Sequence, residues 1–292
     1  MNATATPTGP NGMTAQPAPF AAGLEGVVAA QTRISHVDGE RGELIVAGYR
    51  IEELAPYAAF EEVVYLLRYD RLPNAQELAD LRGDLAGWRT LPPAVVDLLA
   101  AAASDGRPAI DALRMAAGAL DLGLPAAMRT PDRLGTVLLA RLPTAVAAYR
   151  RLCRGLAPLP PAADLGHAAN YLYLLDGERP RAGAVAGLET YLNTVADHGL
   201  NASTFTCRVI VATQSDLTSA LTGAIGALKG PLHGGAPGPA LDMVFEIGDP
   251  QNAEAYLRAK LERGERLMGF GHRVYKVRDP RAEVLGTAAR AF

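Results

Sequence analysis

Apolar side chains recur every three or four positions along most of this chain, the spacing that gives a helix one buried face. The pattern predicts helices near Asp164 to Leu175, Ala182 to Asp197, Ala202 to Thr213, Asp216 to Leu228, Ala240 to Ile247 and Asn252 to Glu262. Upstream, capping chemistry marks further starts. Asn74 with Glu77 three residues later has capping-box spacing, Pro92-Pro93 opens a second helix, and Thr130-Pro131 opens a third that Pro143 is expected to kink or end. Strand signals are confined to one place, where Thr32 to Ser35 and Glu43 to Ala47 flank the polar turn Asp38-Gly39-Glu40-Arg41-Gly42 and predict a short β-hairpin. The expected fold class is therefore all-α with a short N-terminal β-hairpin.

Composition narrows the function classes. A net charge of −3 lacks the basic excess that a nucleic-acid partner requires, and aromatics at 6% favour alanine-rich helix packing over an aromatic-rich sandwich. Residues 1–22, rich in Pro, Thr and Ala, read as a disordered tail because no basic start precedes an apolar core. Arg141 and Pro143 break the best apolar stretch, so no membrane span is expected. Cys153 and Cys207 lie in apolar helical patterns, which offers no disulfide framework and fits a reducing cytoplasm.

Glycine interrupts the helical pattern at Asp197 to Asn201, at Lys229 to Gly238 and at Met268 to Arg273, and each interruption carries one histidine: His198, His233 and His272. Glycine lets a ligand approach the main chain, and helix ends present unpaired N–H and C=O groups, so such junctions suit small anions. A single loop histidine more often caps a helix, but three in glycine-bearing junctions point to a site. A helix opening near Pro237 would set a positive end behind His233, which suits a ring that donates to a developing oxyanion. Arg273, Lys276, Arg278 and Arg281 follow His272 as a cationic cluster, readable either as a solvated helix entrance or as a binder of carboxylate or phosphate; Gly269-Phe270-Gly271 beside it favours the ligand loop. Phosphate-loop, dinucleotide, zinc-protease and nucleophile-elbow patterns do not occur, and the three histidines lack a carboxylate at metal-ligand spacing.

These junctions, DHGLNAST (Asp197 to Thr204), GPLHGGAPGP (Gly230 to Pro239) and GFGHRVYKVRDPR (Gly269 to Arg281), resemble the citrate synthase family, including 2-methylcitrate synthases. The opening Gly23 to Leu54 is similar to the N-terminal region of its bacterial members. The resemblance implies a large helical domain over residues 23–232 and an incomplete small helical domain over 233–292, the sequence being truncated at its C-terminal end relative to the family. It implies that oxaloacetate is bound by His198, His272 and Arg281, that His233 polarises an acyl-CoA thioester carbonyl, and that His272 polarises the ketone. Acyl-CoA is then a substrate, and no metal or other cofactor is expected. The family's catalytic aspartate lies beyond the segment matching Phe292, and Asp279 matches the DPR element instead, so the base is left unassigned. The implied reaction is oxaloacetate plus acetyl-CoA and water giving citrate and CoA, in a cytoplasmic homodimer. Two alternatives stand beside it: propionyl-CoA giving 2-methylcitrate, and an inactive paralogue that only binds ligand.

Overall fold

A computed structural model describes residues 28–235, 237–272 and 274–290; the expected N-terminal tail lies outside them. Contacts separate a unit ending at Thr32 from one running from Arg33 to Phe292. In the first, residues 28–32 form neither helix nor strand.

The second unit opens with a three-stranded antiparallel sheet, β1 (Ser35–Asp38), β2 (Glu43–Val46) and β3 (Tyr49–Arg50). Ser35 pairs with Val46 and Asp38 with Glu43. The first strand thus begins three residues later than the alternation suggests. The Asp38 carboxylate explains the shift, since it accepts the N–H groups of Glu40 and Arg41 at 3.0 Å each and fixes the turn immediately after it. The hydrogen bond from Arg41 leads the causes that hold the Asp38 carboxyl below its ordinary value. The third strand, only two residues long, has no readable alternation.

Helices follow: α1 (Ile51–Leu54), α2 (Phe60–Tyr69), α3 (Ala75–Trp88), α4 (Pro93–Ser104), α5 (Ala109–Ala117) and α6 (Pro131–Cys153). The Asn74–Glu77 capping box closes in both directions. Pro143, however, does not end α6, which runs 23 residues in all and continues to Cys153. The ring removes one N–H, but Val137 and Ala140 before it and Ala145 and Ala148 after it are buried against a common core with Leu99 and Leu120, or beside it, and packing outweighs the lost bond.

The remaining helices are α7 (His167–Asp176), α8 (Ala182–Thr194), α9 (Ala202–Ala212), α10 (Leu217–Leu228), α11 (Pro237–Ile247), α12 (Ala253–Glu262) and α13 (Pro280–Arg290). A second core joins Leu44 and Val46 of the sheet to Ile51, Leu54, Val63, Leu66 and Val284 of α13. Asn193, fully buried near the end of α8, donates to the carbonyls of Ala58 at 2.7 Å and Ala55 at 3.3 Å. That anchor fixes where the backbone leaves α8, shortly before Asp197. No helix among the described residues is long and apolar enough to cross a membrane.

Candidate active site

The segment between α8 and α9 is held by local capping and turn chemistry and by one long-range bond to β1. Asn201 caps α9 by accepting the Thr204 N–H at 3.0 Å. Gly199 turns through a left-handed conformation with φ of 71°, which its missing Cβ permits. Its N–H donates to the Asp197 carboxylate at 3.1 Å and to Ser35 Oγ of β1 at 2.9 Å. His198, carried between these anchors, places Nε2 3.1 Å from the Tyr275 hydroxyl.

His272 comes from the opposite wall. Its Nδ1 accepts the N–H groups of Val274 at 3.0 Å and Tyr275 at 3.1 Å, so the proton of the neutral ring sits on Nε2. Tyr275, 4% exposed, lies at the centre of the cluster. Its ring centroid is 5.6 Å from that of His198, 4.9 Å from that of His272 and 5.9 Å from the Arg281 guanidinium carbon. The His198 and His272 rings meet edge-on at 5.7 Å. Arg281 is forked onto Asp279, with Nη2 2.7 Å from Oδ2 and Nε 3.0 Å from Oδ1, while Nη2 also lies 3.4 Å from His272 Nε2.

The electrostatics follow from this crowding. Burial, then the nearby Arg281 and His272, push His198 down to about 4. Burial and then Arg281 lower His272 as well. Tyr275 is pushed up to about 12 by burial and by the Asp279 charge. Asp279 feels burial pushing it up, but its bonds to Arg281 more than reverse this and leave it below its ordinary value. The cluster therefore presents neutral imidazoles beside a permanent cation. His272 Nε2–H and Arg281 Nη2 are two donors 3.4 Å apart, and a carboxylate or ketone oxygen is an acceptor that suits both.

His233 sits in the turn between α10 and α11, with Nε2 2.9 Å from Ser203 Oγ on the first turn of α9. That hydroxyl also donates to Asn201 Oδ1 at 2.8 Å. The structure thus brings His198, His272 and Arg281 together and ties His233 to the same α9 entrance. Lys276 and Arg278 of the cationic run stay exposed, and Arg273 lies outside the described residues. The other two histidines belong elsewhere: His36 is exposed on β1, and His167 is buried at the start of α7, stacked on Phe60 with centroids 4.8 Å apart. Tyr275, Ser203 and Ser35 were not singled out by sequence reasoning. The first two stand inside the quoted motifs and could have been, whereas Ser35 is joined to its partner only by folding. A cavity of about 430 Å³ under α8 and α13, lined by Tyr57, Ala186, Thr190 and Val284, holds none of these site residues.

In this helical frame His198, His272 and Arg281 gather around Tyr275, a donor set whose chemistry suits carboxylate and carbonyl oxygens. Residues 23–292 match the family described as "Citrate synthase, C-terminal domain". The chain is 46% identical over 267 residues to citrate synthase 2 of Bacillus subtilis, covering 90% of this chain and 71% of that protein. It is 42% identical over 270 residues to a 2-methylcitrate synthase of Mycobacterium tuberculosis, covering 91% and 68%. Among solved structures, the ternary complex of carboxymethyl coenzyme A and oxaloacetate with citrate synthase from Thermoplasma acidophilum superposes with a TM-score of 0.79 at 30% identity, covering 89% of this chain and 70% of that one. The chain belongs to the citrate synthase family.

Proposed function

We propose that this protein condenses acetyl-CoA with oxaloacetate and water to give citrate and CoA. The observation that carries this reading is the approach of His272 Nε2–H and Arg281 Nη2 to 3.4 Å beside a neutral His198. A dicarboxylate with an adjacent ketone suits this donor set, with Arg281 and His198 on its oxygens and His272 donating to the ketone oxygen. Charge developing on that oxygen during attack strengthens the His272 hydrogen bond, which is the differential stabilisation catalysis needs.

At the acyl group, His233 acts through Nδ1. In the tautomer that serves this role the Ser203 hydroxyl gives its proton to His233 Nε2 in place of Asn201 Oδ1, and the neutral ring carries its own proton on Nδ1, where it donates to the thioester carbonyl. Loss of a methyl proton to a carboxylate base gives an enol or enolate held by that donor. The methyl carbon then bonds to the ketone carbon, and water attack on the thioester breaks the C–S bond and releases CoA. Asp279 is not the base, because Arg281 occupies it and holds its proton affinity down. Acyl-CoA enters as substrate and the chemistry uses no further cofactor.

The similarity to a 2-methylcitrate synthase at 42% identity favours propionyl-CoA as a second donor. One added methylene separates the two donors by about 1–3 kcal/mol in a formed pocket. A homodimer fits α9, which buries no residue yet leaves Val209 51% and Val211 42% exposed. The division into residues 23–232 and 233–292 is supported by α11 and α12, where only Met243 is buried, whereas Val284 of α13 packs into the core of the first part. A cytoplasmic setting fits two free cysteines.

The test is thiol release by the purified protein with oxaloacetate, using acetyl-CoA and propionyl-CoA in parallel and His233→Ala as control. Oxaloacetate-dependent release that disappears in the control is the expected result. Folded protein that releases no CoA with either donor overturns the assignment.

A further inference from the structure

The β1–β2 hairpin touches every segment that supplies the His198–His272–Arg281 cluster. Ser35 Oγ accepts the Gly199 N–H, beside His198. The Gly39 carbonyl at the hairpin turn accepts the Lys276 N–H at 2.9 Å, one residue after Tyr275. A Cβ on Gly39 would stand 2.2 Å from the Val274 carbonyl oxygen, and one on Gly42 would stand 2.9 Å from that of Arg278. Backbone therefore lies on backbone with no room for a side chain. On the strand behind, Leu44 and Val46 share a core with Val284 of α13, the helix whose first turn carries Arg281.

We propose that this hairpin is a brace that sets the two histidine loops at their working separation, with Ser35 and Gly39 as positioning residues for oxaloacetate binding. The hairpin supplies none of the His198, His272 and Arg281 side chains and touches their segments at Gly199 and Lys276 instead. It acts by fixing the main chain at Gly199 and at residues 274–278 against one rigid two-stranded unit, whose turn is itself locked by Asp38. Its effect on substrate rests on the condensing function proposed above; its effect on loop geometry does not.

Two readouts separate these dependences. In steady-state thiol-release assays, Ser35→Ala is expected to raise the oxaloacetate KM about fivefold, the value of one hydrogen bond, with Ser35→Thr restoring it. Gly39→Ala, which must push the 274–276 backbone away, is expected to raise it by about 100-fold, while the acetyl-CoA KM changes by less than about twofold. Glu40→Ala, exposed in the same turn, leaves both unchanged. Independently of substrate, NMR titration of histidine-labelled protein is expected to show the His198 imidazole moving up from about 4 by about one unit in Gly39→Ala as water enters the cluster. Unfolding midpoints are measured on the same samples. A folded Gly39→Ala variant with unchanged oxaloacetate KM and unchanged His198 titration overturns the brace. A wild-type protein that releases no CoA, but whose His198 titration shifts in the variants, supports the brace and refutes the condensing activity alone.

Discussion

Replacing Arg281 by glutamine tests the electrostatic design of the site through stability alone. In the native protein the guanidinium and the Asp279 carboxylate are 20% and 23% exposed and share bonds of 2.7 and 3.0 Å. Charge-assisted hydrogen bonds contribute about 1.5–3 kcal/mol, and water reaches a fifth of this pair, so about 2 kcal/mol is expected to be lost at pH 7. The sign of the pH dependence follows from Asp279. Its native carboxyl is held below the ordinary value of 3.8, so the stability it contributes is present above that value and is lost as pH falls through the lower, native one. Glutamine removes the two largest causes of the depression, the side-chain hydrogen bonds and the guanidinium charge, and leaves the main-chain N–H and His272 to act against burial. The difference between wild type and variant should therefore be largest at neutral pH and shrink below about pH 4. Urea unfolding at about pH 7, 5 and 3.5 reads it directly, and a cycle with Asp279→Asn should return a coupling of about 2 kcal/mol. A stability difference that is the same at all three values, or a coupling near zero, refutes the pairing as the source.

Ser203→Ala should lower kcat by about 10- to 100-fold with little change in oxaloacetate KM, because it frees the His233 tautomer and leaves His198, His272 and Arg281 intact; steady-state kinetics checks this. His167, buried and pushed down to about 4, should make the protein lose about 3 kcal/mol as pH falls from 6.5 to 4, since the unfolded state takes the proton first; His167→Leu should flatten that slope in urea titrations. Arg89, 2% exposed, donates to the carbonyls of Ala162 and Leu165 at 2.8 Å each, and Arg89→Ala should cost about 3 kcal/mol in equilibrium unfolding by leaving both acceptors unpaired beside a void.

Local chemistry was legible and distant chemistry was not. The starts of α3, α4 and α6 stand where Asn74, Pro93 and Pro131 put them, because capping is decided within one turn of backbone. Pro143 does not end α6, because its local penalty is small against the buried surface on both sides of it. The histidine loops were visible through their glycines, whose left-handed conformations at Gly199, Gly269 and Gly271 are a backbone requirement written in the sequence. Tyr275 gave no such sign: its hydroxyl meets a histidine 77 residues away, and no periodicity encodes that. Ser35, 164 residues from Gly199, reads simply as one end of a strand.

The meeting of Gly39 with Lys276 also orders events in time. A ribosome delivers the hairpin long before its partner, so the first must wait for the second. Helices α3 to α6 draw on neighbours close in sequence and can consolidate while later segments are still being translated, whereas the histidine loops require closure of a very long circuit. Helical signal should return early on refolding and ligand affinity late, and the interval between them measures how long a nascent molecule carries a finished core with no function.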